Sequence, residues 1–276
     1  MRERINVLIH GEPKTGKTTM AARRNPGLLI CDTEGSSKFM RGVKREKITS
    51  MSHMDTILGR IRNGEVTMLA IDTIDELVNN FGKEEVRAKG GDFVYQNQLT
   101  MQGWGLLRDR VLRQQRGFRD AGADTLTICH SELLEKPNGG KKWTMKLPSD
   151  YAREVMGMAD VVGFMEVKKS PDGTRTHRLH LEPSPAYDAG VRAIYDATTD
   201  KFYSPLPPFI DDPAFIDIVK AYDDFFDGKS QGYVIPCQNP KCAGTNGVPN
   251  DSQIMTAGML LCGDCDARYK ELHKSA

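Results

Sequence analysis

The chain has 276 residues, 39% hydrophobic and 27% charged, with a formal net charge of +1. That length accommodates one large α/β core and a small appendage, and the near-neutral balance excludes a global basic field, so any nucleic-acid contact must come from local patches. No apolar run reaches the roughly 18 residues of a membrane span, and Met1-Arg2-Glu3-Arg4 leads into a strand rather than an apolar signal region, so a cytoplasmic protein without membrane contact is expected.

The β-branched run Ile5 to Ile9 predicts a buried strand. After it comes Gly11-Glu12-Pro13-Lys14-Thr15-Gly16-Lys17-Thr18, the pattern G-x-x-x-x-G-K-T, and a helix start through Thr19, Met20, Ala21 and Ala22 that stops at Asn25-Pro26-Gly27. Strand, glycine loop and helix in that order make a phosphate-binding loop. The backbone N–H groups of Gly11 to Thr19 are expected to cradle the phosphates of ATP. The helix N-terminus adds about half a positive charge. Lys17 neutralises the β/γ oxygens, and the Thr18 hydroxyl holds Mg²⁺.

Leu28 to Asp32 is a second strand, followed by Thr33-Glu34-Gly35. Thr67 to Asp72 is an apolar strand ending in an acid, the Walker B pattern, with Asp72 as the second Mg²⁺ ligand. Beyond it, Asp75 and Glu76 compete with Glu34 as the acid that orients the attacking water. Their other reading is a helix start, where acids favour the dipole. Strands at 5–9, 28–32, 67–71 and 124–129 alternate with helices near 17–24, 53–63, 73–82 and 103–120. This rhythm predicts a mainly parallel sheet flanked by helices. On the last helix Trp104, Leu107, Val111 and Phe118 form a core line, and its arginines a solvated or subunit-facing surface. The strand Ala123 to His130 ends in a histidine that is either a γ-phosphate sensor or a packed strand-end residue.

After Asp160 short strands are expected at 161–167, 177–182 and 193–196. Asp212 is the expected N-cap and Pro213 the first position of an amphipathic helix carrying Phe215, Ile218, Val219, Tyr222 and Phe226 on one face. Cys31 and Cys129 read as small buried hydrophobes. Cys237-x4-Cys242, nineteen residues, then Cys262-x2-Cys265 is a zinc-ribbon spacing. Its thiolates suit tetrahedral Zn²⁺, which would supply the folding energy of so small a segment. The expected partition is an ATPase domain over 1–210, a helix and linker over 211–232, and the ribbon over 233–276.

The Asp32-Thr33-Glu34-Gly35 run directly after the P-loop helix resembles the RecA-like recombinases, whose catalytic glutamate sits on that strand. Many other P-loop enzymes place the acid beside the Walker B aspartate. Cys129-His130-Ser131-Glu132 resembles the phage RecA-like proteins of the Sak single-strand annealing group, described generically as phage AAA-type nucleotide-binding proteins. Trp104 within Gln102-Gly103-Trp104-Gly105 and the strand Arg178 to Pro185 fit that group. His130 departs from the glutamine usual in recombinases. The resemblance covers about residues 4–200 and implies a RecA-like core ending in antiparallel strands, with Glu34 as the catalytic acid and His130 as the sensor. It also implies self-association into a ring or filament, with a basic residue from a neighbour completing the site; Arg192 is a weak candidate.

In such cores two loops reach DNA. One corresponds to 82–103, with Lys83, Arg87, Lys89, Phe93 and Tyr95. The other corresponds to 133–148, with Lys136, Lys141, Lys142, Trp143 and Lys146. Basic groups beside a flat aromatic suit a single strand; a Gly-Gly hairpin tip with solvated lysines is the alternative. The expected function is an ATP-binding and ATP-hydrolysing protein that binds single-stranded DNA in phage-type recombination or annealing, in the cytoplasm of a bacterial host, with a single-strand-binding or replication protein as a further partner. Two rivals are a remodelling or packaging ATPase without DNA specificity and a non-enzymatic, nucleotide-gated annealing module.

Overall fold

The computed structural model describes residues 3–136, 139–238, 242, 251, 254–256 and 259–272. The elements run in chain order β1 (Asn6–Gly11), α1 (Lys17–Ala22), β2 (Leu29–Asp32), a 3₁₀ turn (Ser36–Phe39), β3 (Lys44–Lys47), α2 (Met51–Arg62) and β4 (Met68–Asp72). Next come α3 (Ile74–Glu76), a π segment (Leu77–Gly82), α4 (Lys83–Lys89), β5 (Val94–Tyr95), β6 (Gln98–Leu99) and α5 (Met101–Asp120). They are followed by β7 (Asp124–Glu135), β8 (Lys141–Met145), α6 (Ser149–Met158), β9 (Val161–Lys169) and β10 (Arg175–His180). The last are β11 (Gly190–Val191), β12 (Ile194–Asp196), β13 (Lys201–Ser204), β14 (Phe209–Asp211), α7 (Phe215–Phe226), β15 (Tyr233–Val234), β16 (Ile254–Thr256), β17 (Met259–Leu261) and α8 (Gly263–Leu272).

The chain divides into two compact units: Met1–Gly190 with Pro208–Lys220, and Val191–Pro207 with Ala221–Ala276. Residues 191–207, expected in the ATPase domain, form strands that group with 221–276 in this division. Among the described residues, no helix is long and apolar enough to cross a membrane.

The first unit is built on one sheet in the order β14-β10-β9-β1-β7-β4-β2-β3. From β9 to β3 all neighbours are parallel, and β10 and β14 close the far edge antiparallel. The apolar runs of β1, β2 and β4 are buried almost without interruption, as strands covered on both faces must be. Ser50 caps α2 by accepting from the His53 N–H, and Thr100 caps α5 by accepting from the Gly103 N–H. On α5, Leu107, Val111 and Phe118 are buried in the main core, each contributing about 1.5–3 kcal/mol. Trp104 is 36% exposed.

Register positions the site. Asp32 lies opposite Asp72, and Gly11 lies between His130 and Met165. The ends of β1, β2, β4 and β7 therefore share the carboxyl edge of the sheet, where open parallel sheets bind ligands.

Several elements depart from expectation. The helix after β4 continues through the π segment to Lys89. The polar edge strand β3, Lys-Arg-Glu-Lys, has no apolar alternation to betray it. Lys141–Met145 pairs back on β7 as a hairpin. Asp212 does not cap α7, which begins at Phe215. At φ +47° its N–H instead donates to the His177 carbonyl at 2.7 Å.

In the second unit, β12, β13 and β15 form a three-stranded antiparallel sheet, and β16–β17 is a hairpin followed by α8. Of the expected ribbon, residues 239–241, 243–250, 252–253, 257–258 and 273–276 lie outside the described residues, as do 137–138 of the expected DNA loop.

Candidate nucleotide site and cysteine cluster

The loop between β1 and α1 is held by close approaches. A Cβ on Gly11 would stand 2.3 Å from the Met165 carbonyl oxygen, so only glycine fits beside β9. Gly16 has φ +93°, and a Cβ there would meet the His177 imidazole at 2.8 Å. His177 Nδ1 donates to the Thr15 carbonyl at 2.7 Å. This brace comes from β10, and nothing local in the sequence announces it.

Lys17 is buried and curls onto its own loop, donating from Nζ to the carbonyls of Gly11 at 2.8 Å and Glu12 at 2.7 Å. Burial lowers the pKa of its ammonium, against the pull of Asp72, Asp75 and Glu34. Glu12, Pro13, Lys14 and Thr19 are exposed along the same loop.

Asp72 is 1% exposed. It accepts from the Ser36 hydroxyl at 2.7 Å and from Thr18. Burial pushes its carboxyl up, and Glu34 and Asp32 add to this, against those two hydrogen bonds. A buried carboxylate among other carboxylates, joined to a threonine hydroxyl on the first turn of α1, is the oxygen-rich donor set that suits a hard divalent cation. The residues present therefore fit Mg²⁺, with Thr18 and Asp72 as holders.

Glu34 follows β2 and leans over the end of β4. The Thr73 hydroxyl donates to its Oε1 at 2.6 Å. Its side chain is 23% exposed. His130 Nδ1 stands 3.3 Å from the same oxygen and 2.9 Å from Asp75 Oδ2, while the His130 backbone N–H donates to Asp75 Oδ1 at 3.0 Å. Two carboxylate acceptors place the proton on Nδ1. The Asp75 hydrogen bond lifts the His130 pKa above the ordinary imidazole value, against partial burial, with the charges of Asp75 and Glu34 adding. Burial pushes the Asp75 carboxyl up, but the side-chain and backbone hydrogen bonds of His130 outweigh it and leave it low. Asp75 lies in the first turn of α3, as expected of a helix-start acid, and is also the buried partner of His130. Glu76, the other competitor, accepts from Asn80 one turn along its own helix.

The two expected DNA loops differ in how much charge they leave available. On the β7–β8 hairpin, Lys136 donates to the Pro185 carbonyl at 2.8 Å, Lys141 pairs with Glu135 at 3.7 Å, and Lys142 pairs with Asp188 at 2.6 Å. Trp143 is half-buried, its ring 6.4 Å from Phe164, which in turn stacks on Tyr187 at 4.8 Å. Lys146 is exposed. Along 82–103, Lys83 Nζ lies 5.1 Å over the Trp104 ring. Lys83, Arg87, Trp104 and the amides of Gln96, Asn97 and Gln98 line one open depression. Burial and the adjacent Arg87 hold the Lys83 ammonium below its usual range. Arg87 and Lys89 are exposed.

In the second unit Cys237, Cys242, Cys262 and Cys265 bring their sulfurs within 4.8 Å of one another, and no disulfide joins them. The Sγ atoms of Cys242 and Cys262 are 3.8 Å apart. Four thiolates at ~2.3 Å from a tetrahedral Zn²⁺ stand about 3.8 Å from each other, so this donor set fits zinc.

No curated protein matches the chain. The model of the AAA domain matches residues 3–193. That span takes in the P-loop, both acidic strands, the His130 strand and the antiparallel strands β9 and β10, well over half of the chain, which therefore belongs to this family of P-loop proteins with an AAA domain.

Proposed function

We propose that this chain hydrolyses ATP at the carboxyl edge of its sheet and spends the turnover on single-stranded DNA, in recombination or strand annealing of the phage RecA-like type. The observation that carries the hydrolytic part is the convergence of Lys17, Thr18, Asp72, Glu34 and His130 from four strand ends onto one edge. When bound, Mg²⁺ supplies charge neutralisation across the β- and γ-phosphates. Lys17 releases its two loop carbonyls and turns to the same oxygens. Glu34, its Oε1 fixed by Thr73, holds and deprotonates the attacking water. His130 keeps Nδ1 on Asp75, which leaves Nε2 as the donor for the γ-phosphate.

The Glu34 placement follows the RecA-like pattern, and the Thr73 and His130 contacts support it over Glu76. The cysteine cluster acts as a structural zinc knuckle. Self-association with a basic residue from a neighbour in the site, and a single-strand-binding or replication partner, belong to the same reading. DNA is favoured as the substrate by the Lys83, Arg87 and Trp104 depression. ATPase rate with and without single-stranded DNA tests the whole: DNA-stimulated turnover supports it. Turnover indifferent to DNA points to a protein-remodelling or packaging ATPase. Strand annealing that survives Glu34→Gln points to a nucleotide-gated module.

A further inference from the structure

Between Lys38 and Lys47 the chain carries Lys38, Arg41, Lys44, Arg45 and Lys47, all exposed. The one acid in this stretch, Glu46, is taken by His53 at 2.7 Å and Arg60 at 2.6 Å. None of the five cations has an ion-pair partner among the described residues. Phe39 sits among them 84% exposed, with Lys38 Nζ 5.0 Å over its ring. An aromatic ring so bare on a tight turn gains nothing from the core. The cations continue onto β3, the outermost strand of the sheet beside β2.

The turn is not a loose loop. Asp32 Oδ2 accepts from the Ser37 hydroxyl at 2.5 Å, and Asp72 Oδ2 accepts from the Ser36 hydroxyl at 2.7 Å. Unneutralised cations on the turn and on β3, led by an exposed ring, offer phosphate attraction beside a free face for base stacking, the two things a single strand needs. Duplex DNA would offer the ring no base to stack on. The β7–β8 hairpin is the poorer candidate, because Lys136, Lys141, Lys142 and Trp143 are already engaged.

We propose that Phe39 with Lys38, Arg41, Lys44 and Arg45 forms a binding surface for single-stranded nucleic acid, built on the turn between the Glu34 strand end and the edge of the sheet. This rests on the nucleic-acid part of the proposed function and adds a contact at residues outside both expected loops.

The test uses the full chain and fluorescence anisotropy with labelled dT30, rU30 and a duplex at several salt concentrations, with the chain's mass followed by sedimentation. The variants are Phe39→Ala and the fourfold Lys38→Gln, Arg41→Gln, Lys44→Gln, Arg45→Gln; both change exposed side chains, and circular dichroism checks their folding. Lys141→Ala with Trp143→Ala serves as the hairpin comparison. Phe39→Ala should weaken single-strand binding roughly fivefold to 150-fold, the value of one base stack. The fourfold variant should lower the log–log salt slope by up to about 2.8, at 0.7 per lost phosphate contact. Preference for dT30 or rU30 assigns DNA or RNA as the strand.

Wild-type binding that neither variant weakens overturns the surface and leaves the nucleic-acid reading standing; the cations then only guard an edge strand. Loss of binding in the hairpin variant alone also overturns it. A wild-type chain that binds no oligonucleotide at low salt defeats both readings. A fourfold variant that changes the sedimenting mass without changing anisotropy overturns the surface in favour of a contact with a second copy.

Discussion

Replacing Asp75 by Asn keeps the size of a side chain that is 1% exposed but removes its charge. Asn still accepts from the His130 backbone N–H with its Oδ1. Its Nδ2 is a donor and cannot receive the Nδ1 proton, so His130 loses its nearer carboxylate acceptor and keeps only Glu34 Oε1 at 3.3 Å. The energy at stake is that of one hydrogen bond between charged groups, about 1.5–3 kcal/mol. His130 is only 21% exposed, so solvent screening removes little of it. If the imidazolium acts on the γ-phosphate, kcat should fall roughly tenfold to 150-fold, while KM for ATP moves much less. The sign with pH follows from the direction of the shift. His130 has a raised pKa in the folded chain. Its ion pair therefore adds stability fully below the unfolded value of about 6.5. That stability is lost as pH rises through the raised value. In Asp75→Asn the alkaline fall in kcat should move to lower pH, and the His130 ring resonances should titrate lower by NMR. A variant with wild-type kcat and an unmoved alkaline limb would refute the pairing as a functional one.

Lys17→Ala removes two to three charge-assisted contacts to phosphate oxygens, each about 1.5–3 kcal/mol; nucleotide affinity by calorimetry should drop at least about a hundredfold with little change in melting temperature. Glu34→Gln should retain ATP binding and lose turnover by roughly 10²–10⁴. If Glu76→Gln is the damaging change instead, the acid has been misplaced. A chelator strong enough to strip zinc, or Cys262→Ser, should abolish amide protection in β17 and α8 while β1, β4 and β7 stay protected in hydrogen exchange. Elemental analysis of protein purified under reducing conditions should find one zinc per chain.

The parallel core was legible because its strands are continuous apolar runs punctuated by glycine and acid, and each signal is local. The P-loop and the strand-end positions of Asp72 and Glu34 were readable for the same reason: each is set by a few consecutive residues. What escaped needed contacts over long sequence distances. His177 braces Thr15 from 162 residues away. Asp75 was legible as a first-turn acid of α3, but its pairing with His130 depends on β7 lying next to β4. β3 was missed because a charged edge strand has no alternation, and Lys141–Met145 because its lysines and Trp143 read as a DNA-contacting loop, the hairpin being only the alternative. The hairpin lysines show the limit of reading charge from sequence: Lys136 and Lys142 find partners in residues 185–188, after an intervening helix and two strands. The expected cap at Asp212 failed because that residue binds back to β10.

Asp72 Oδ2 is shared property. It receives the Ser36 hydroxyl, and it belongs to the carboxylate that would hold a divalent cation. Cation and hydroxyl draw on the same lone pairs, so occupancy at one end of this short chain of atoms changes the free energy at the other. Linkage makes that exchange symmetrical: whatever factor cation loading applies to a ligand held on the Ser36–Phe39 turn, the ligand returns to the cation. The communication needs no domain movement and no long relay. Its whole length is one hydroxyl-to-carboxylate bond, Ser36 to Asp72, and one turn of 3₁₀ helix.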